Sequence, residues 1–106
     1  MRIAALGLAA MLVVGCVGPR PHVRSAEVAS PEDGKATVTV VITNDGGGDG
    51  QVEVKVTLRD GERVVARDDK TTELKGRETL TLVMEISVPD DAGSLSVEAE
   101  AVYPPD

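Results

Sequence analysis

The chain has 106 residues, a formal net charge of −7 and a single cysteine. This length allows one small domain, and the acidic balance disfavours nucleic-acid binding because phosphates would be repelled. A lone cysteine excludes an internal disulfide. The chain has no Phe or Trp and one Tyr, so its core must be aliphatic. Valine is abundant, and its branched Cβ favours strands.

The N-terminal residues have the layout of a bacterial export signal. A basic start, Met1-Arg2, precedes a run at 3–14 that is entirely apolar or glycine. This run is too short for a bilayer, which needs about 20 residues, but it is typical of a signal peptide. It ends in the sequence Val13-Val14-Gly15-Cys16. We therefore expect residues 1–15 to be a cleaved leader.

The sequence Val13-Val14-Gly15-Cys16 resembles the lipobox of bacterial lipoproteins. The resemblance implies cleavage between Gly15 and Cys16, and attachment of diacylglycerol and a palmitate-type acyl chain to Cys16. Several acyl chains anchor a protein stably to a membrane. Val17 follows the cysteine where Asp would favour the inner membrane, so we expect the outer membrane, at its periplasmic face or at the cell surface. The alternative is ordinary secretion, because Val13 and Gly15 also fit the general cleavage rule.

A short segment follows the cysteine. Residues 16–22 contain two prolines and a glycine, which oppose both a helix and a central strand. We expect an extended tether here. His22 is the only histidine, and we interpret it as a polar linker residue.

From Val23 onward, apolar and polar residues alternate with a period of two, which is typical of half-buried strands. The pattern predicts strands at about 23–29, 35–43, 51–59, 62–73, 78–88 and 94–103. Asp60-Gly61 is a hairpin signal, and the consecutive Val64, Val65 and Ala66 indicate a bulge or an edge position. The fold class predicted for residues 23–106 is an all-β, immunoglobulin-like antiparallel sandwich of six to seven strands.

Three segments, at 38–46, 54–61 and 74–80, resemble the bacterial immunoglobulin-like domains called CARDB-like. The resemblance implies a second strand that ends in a Thr-Asn turn, a hairpin after the third strand and a glycine-led fifth strand. The chain lacks the aromatic core residues usual in that family and stops where a seventh strand would begin. This leaves an open sheet edge, for which two interpretations remain. A partner strand could add there, or Pro104, Pro105 and the outward charges Glu98 and Glu100 guard the edge.

If successive strands reverse direction, the first, third and fifth connections share one pole, and the N-terminal tether attaches at the other. Carboxylates from the first, third and fifth connections would converge at their shared pole and could bind Ca²⁺. However, Asp is also common in turns because it forms local hydrogen bonds. The loop at 44–50, with its glycines and two aspartates, also has two interpretations, a calcium-binding loop or a plain flexible turn. The six candidate ligands are Glu32, Asp33, Asp60, Glu62, Asp90 and Asp91.

Nothing in the sequence indicates catalysis or a cofactor other than this Ca²⁺. There is no second histidine, and no nucleophile has a plausible base beside it. We therefore expect a non-catalytic lipoprotein of the cell envelope that presents a sandwich for protein–protein interaction or a structural role. The alternatives are a Ca²⁺-dependent adhesion module and an accessory subunit of an envelope complex that is completed by strand addition.

Overall fold

The computed structural model describes residues 18–106, which fold into six antiparallel strands. This confirms the predicted all-β sandwich. No helix forms in this part of the chain, so none there could cross a membrane. The strands are β1 (Pro21–Val28), β2 (Lys35–Asn44), β3 (Gly50–Asp60), β4 (Arg63–Leu74), β5 (Thr79–Ser87) and β6 (Leu95–Val102).

Two three-stranded sheets face each other. The first has the order β1-β2-β5 and the second the order β4-β3-β6. In an immunoglobulin-like sandwich, the strands of the first sheet correspond in order to A, B and E. Those of the second sheet correspond in order to C′, C and F. β1 lies against β6 on one side of the sandwich, and β5 approaches β4 on the other.

The core is aliphatic, as the composition requires, and it is densest between the two central strands. The inward-facing residues of β2 and β3 are almost fully buried, because each central strand is flanked on both sides by paired strands and covered by the opposite sheet. Each such side chain contributes about 1.5–3 kcal/mol by leaving water. The buried apolar residues are Ala36, Val38, Val40, Ile42, Val52, Val54, Val56, Leu58, Leu74, Leu82, Met84, Ile86 and Val88.

Two bulges keep the apolar residues of edge strands on the core side. In β1, Val23 pairs with Ile42 and Ser25 with Val41, so Arg24 is the extra residue. A bulge adds one residue to one strand of a pair. It therefore allows Val23 and Ala26, three positions apart, to face the same side. The bulge in β4 falls at Val65, within the segment where the sequence predicted one, and β4 is an edge strand.

Two local expectations were wrong. The two-residue hairpin loop is Gly61-Glu62, one position later than predicted, because Asp60 pairs with Arg63. Gly61 takes a φ of 65°, which suits glycine at the first central position of such a loop. Strand β1 begins at Pro21, inside the predicted tether. Proline is tolerated there because it is the first residue of an edge strand.

Candidate functional site

The strand pairings place the loops at two opposite poles. The loops at 45–49 and 75–78 lie at the end where β1 begins, and we call this end the Asn44 pole. The loops at 29–34, 61–62 and 88–94 lie at the other end, which we call the acidic pole. The N-terminal segment therefore reaches the domain at the pole predicted from antiparallel order.

The Asn44 pole is organised by one buried amide. Asn44 is 1% exposed, and its Oδ1 accepts hydrogen bonds from the backbone N–H of Arg20 at 2.9 Å and of Gly46 at 2.8 Å. Its Nδ2 donates to the carbonyls of Gly48 at 2.8 Å and Lys75 at 3.0 Å. Both side-chain atoms are thus fully used, and one residue joins the N-terminal segment to two loops.

The two loops of this pole also contact each other directly. The backbone N–H of Arg77 donates to the carbonyl of Gly46, and the N–H of Gly76 donates to Asp49 Oδ1 at 2.7 Å. Gly76 lies so close to the Gly47 backbone that a Cβ would collide with it. Arg77 takes a left-handed φ of 62°, and its guanidinium donates to the carbonyl of Asp45. The loop at 44–50 is therefore held by protein hydrogen bonds.

The N-terminal segment is packed on this pole from Gly18 onward. Pro19 is buried, and a Cβ at Gly50 would meet its ring at 2.9 Å and the Tyr103 ring at 3.1 Å. The Tyr103 ring also lies against Gly18, where an added Cβ would force the ring to move. The described part of the predicted tether therefore belongs to the folded domain.

At the acidic pole, several carboxylates have local partners. Asp33 and Gly34 both have positive φ, 52° and 74°, as a type I′ turn requires. Asp60 Oδ2 accepts the backbone N–H of Gly93 at 3.1 Å. The Arg63 guanidinium lies 3.6 Å from Asp60 and 3.5 Å from Asp91. These contacts are those of turn-forming residues.

The loops carrying the six candidate Ca²⁺ ligands do share this pole. However, among residues 18–106, no three Asp, Glu or His side chains converge closely enough to hold a metal ion. Asp90 and Gly34 lie near each other, whereas Glu32 forms a backbone bridge with Lys35. The backbone carbonyl of Glu62 accepts a long hydrogen bond of 3.5 Å from the Arg59 guanidinium. The Ca²⁺ reading stays a prediction.

The two edge strands of the second sheet differ in charge. On the inward face, Val56 of β3 has Asp68 of β4 on one side and Ala99 of β6 on the other. Asp68 is exposed and Ala99 is half-buried. The segment at 67–71 of β4 is charged or polar and exposed on both faces, so it is protected against pairing with another strand.

Strand β6, by contrast, has an apolar inward row along its free edge. This row faces β1, yet none of the backbone hydrogen bonds of residues 18–106 joins the two strands. We call the packed but unpaired contact between these two strands the β1–β6 seam. It is lined by the half-buried residues Val23, Ala26 and Val28 of β1 and Leu95, Val97, Ala99 and Ala101 of β6.

Two of the predicted edge guards, Glu98 and Glu100, lie on the outer face of β6, as predicted. Glu98 lies on the outer face and pairs with Arg59 of β3, and Glu100 is opposite Lys55. After β6 the chain turns back over β3, where the Asp106 N–H donates to Glu53 Oε1 at 3.1 Å and its carboxylate pairs with Lys55. The Asp106 hydrogen bond raises the pKa of Lys55 above 10.5. Residues 103–106 thus do not pair with the outer edge of β6, which β1 approaches without forming backbone hydrogen bonds to it.

The predicted lipidation site, Cys16, and its neighbour Gly15 lie outside the described residues. His22 is exposed on β1. Sequence reasoning missed Asn44, although a signal was present. Position 44 continues the inward row of Val38, Val40 and Ile42, so it predicts a polar side chain aimed into the protein.

No family model matches the chain, and neither the curated proteins nor the solved structures contain a match.

Proposed function

We propose that this chain is a non-catalytic lipoprotein of the bacterial cell envelope, anchored through Cys16. In this proposal it presents the sandwich to a protein partner that adds a strand at the free edge of β6. The observation that carries the interaction is this edge, which combines unpaired backbone groups with a half-buried apolar row. Strand addition uses these two features together, main-chain hydrogen bonds for affinity and side-chain pockets for specificity.

The position of the edge supports the same conclusion. In an immunoglobulin-like sandwich, strand G pairs with strand F, and β6, which occupies the place of F, has β3 as its one paired neighbour among residues 18–106. The other edge strand of the same sheet, β4, carries charges on both faces, whereas β6 carries them only on its outer face. Charged edges oppose strand addition and apolar ones permit it.

The anchor rests on the sequence Val13-Val14-Gly15-Cys16 at the end of the apolar run. Lipidation accounts for the single cysteine. Val17 after the cysteine supports the outer membrane, at its periplasmic face or the cell surface. The CARDB-like resemblance supports a role in adhesion or assembly, without catalysis.

The anchor is tested by expressing the full chain with its own leader in a bacterium and measuring the mass of the mature protein. We expect a polypeptide that begins at Cys16 and carries diacylglycerol and an acyl chain. The Cys16→Ser variant should lack the lipid, and should therefore either be absent from the membrane fraction or retain its leader. A free thiol on an otherwise mature chain contradicts the proposal.

The edge is tested by photo-crosslinking in the native envelope. A photoreactive residue is placed at Glu100 of β6 or, as the matched control, at Asp69 of β4. Both positions lie on the outer face and pair with Lys55, one from each side. We expect a defined partner to crosslink from position 100 and not from position 69.

The partner's crosslinked peptide is then sequenced. An extended segment with alternating apolar residues supports strand addition. Two results would contradict strand addition at β6: equal crosslinking from positions 100 and 69, or no crosslinked partner from either. Neither result would contradict the proposed lipid anchor.

A further inference from the structure

The described fold begins very close to the proposed lipid anchor. Gly18 already packs against Tyr103, and the backbone of Arg20 is held by Asn44 and Asp45. Cys16 precedes Gly18 by two residues, and consecutive Cα atoms lie about 3.8 Å apart, so at most about 7 Å separates the two Cα atoms. A lipid on Cys16 therefore cannot be connected through a long spacer.

From this distance we propose that the Asn44 pole rests directly on the headgroups of the bilayer, which fixes the orientation of the domain. This inference rests on the proposed lipidation of Cys16. It differs from the usual picture of a lipoprotein domain on a flexible tether, because the segment that would supply the tether is bound to the pole.

The composition of the Asn44 pole suits a headgroup layer. The Tyr103 side chain is 45% exposed there, and tyrosine is enriched at membrane–water interfaces because its ring is apolar and its hydroxyl is polar. Arg20, Lys75 and Arg77 are also exposed at this pole. They balance its acidic side chains, Asp45, Asp49 and Glu78.

The opposite pole has the opposite character. Its six carboxylates outnumber the neighbouring cations, Lys35, Arg59 and Arg63, so anionic lipids would repel it. Strand β3 has 11 residues, and a rise of about 3.3 Å per residue separates the poles by roughly 35 Å. Because the Debye length at physiological salt is about 8 Å, the acidic pole in this orientation lies beyond the reach of membrane charge.

The experiment uses two single-tryptophan variants of the lipidated chain, which has no native Trp. Gly47→Trp labels the Asn44 pole and Gly93→Trp labels the acidic pole. Both glycines are exposed, have open space around the Cβ position and lack a positive φ, so both variants should fold. Each protein is purified from membranes and reconstituted into phosphatidylcholine vesicles that carry a quencher near the headgroup.

We expect the indole of the Gly47→Trp variant to be quenched several-fold more strongly than that of the Gly93→Trp variant, and to emit at shorter wavelength. A flexible Gly-Ser spacer of about ten residues, inserted between Val17 and Gly18, should preserve flotation with the vesicles and abolish the difference. Flotation without a difference in quenching overturns the orientation while the anchor stands. Failure to float overturns both proposals.

Discussion

The two poles of the sandwich are both built from loops between antiparallel strands, but these loops are stabilised in different ways. At the Asn44 pole, one amide that is 1% exposed makes four hydrogen bonds to the backbone. At the acidic pole, the corresponding residue is Asp60, whose side chain is 27% exposed and receives one backbone hydrogen bond and one loose ion pair.

This difference shows where loop order comes from in a small aliphatic domain. A buried polar group must have partners, because an unsatisfied donor or acceptor costs about 1–3 kcal/mol. The burial of Asn44 therefore makes its hydrogen bonds obligatory. The carboxylates of Asp60 and Asp91 are partly or largely exposed, so water can replace their contacts.

The largest expected effect is at Asn44. Asn44→Ala leaves two backbone N–H groups and two carbonyls without their partner, so we expect a loss of about 3 kcal/mol in the free energy of unfolding. For a domain of this size the melting temperature should fall by roughly 15 °C. Urea unfolding and thermal melting measure both quantities. A loss no greater than that of a surface substitution would show that the amide does not organise the pole.

Asn44→Asp sharpens the test. The carboxylate keeps the acceptor of the amide but loses its donor, and the negative charge is buried opposite the carbonyls of Gly48 and Lys75. Burial raises the pKa of such a carboxyl in the folded state. The destabilisation should therefore be full at neutral pH and shrink as the pH falls through the acid range. A pH-independent loss would contradict this explanation.

The strands could be predicted from the sequence and the Asn44 pole could not. Alternation along residues such as Val52, Val54 and Val56 determines a strand locally, because period two requires no knowledge of distant residues. The role of Asn44 depends on three segments meeting, and this is a property of the topology. Asn44 is followed by Asp45 and a run of glycines, which indicates a turn. Period two shows that its side chain points inward, but not which backbone groups it binds.

The tether was misread for a related reason. Prolines at 19 and 21 correctly excluded a helix, but they do not distinguish a free spacer from an edge strand. That choice is made by Tyr103 and Gly50, which lie far along the chain and provide the surface on which Pro19 packs. For the six candidate Ca²⁺ ligands, the order of the loops predicts a shared pole but not the distances between side chains, and no three of them converge in the described part of the chain.

A smaller effect is expected at the acidic pole. Asp60→Ala removes the acceptor for Gly93 N–H and the partner of Arg63. Since the group is partly exposed and the ion pair is screened by solvent, we expect a loss of at most about 1 kcal/mol. The comparison with Asn44→Ala should use the same denaturant and pH. Equal losses at the two positions would refute the contrast between the poles.

A still smaller effect is expected from calcium. With no three carboxylates converging among residues 18–106, submillimolar Ca²⁺ should leave the melting temperature unchanged, because only a ligand bound to the folded state raises it. Magnesium at equal ionic strength controls for screening. A rise specific to Ca²⁺ that disappears in Asp90→Asn and Asp91→Asn would instead establish the adhesion-module alternative.

The smallest effect concerns the exposed pair of Lys55 and Asp106. The hydrogen bond from Asp106 raises the pKa of Lys55 above 10.5, so the folded state binds this proton more tightly than the unfolded state does. Its stabilising contribution is therefore complete at neutral pH and is lost only as the pH rises above 10.5. An NMR titration of the Lys55 Cε signal should show the raised pKa, and Asp106→Asn should lower it. If the substitution leaves that pKa unchanged, residues 103–106 do not lie over β3 in solution, and the outer face of the sheet is open there.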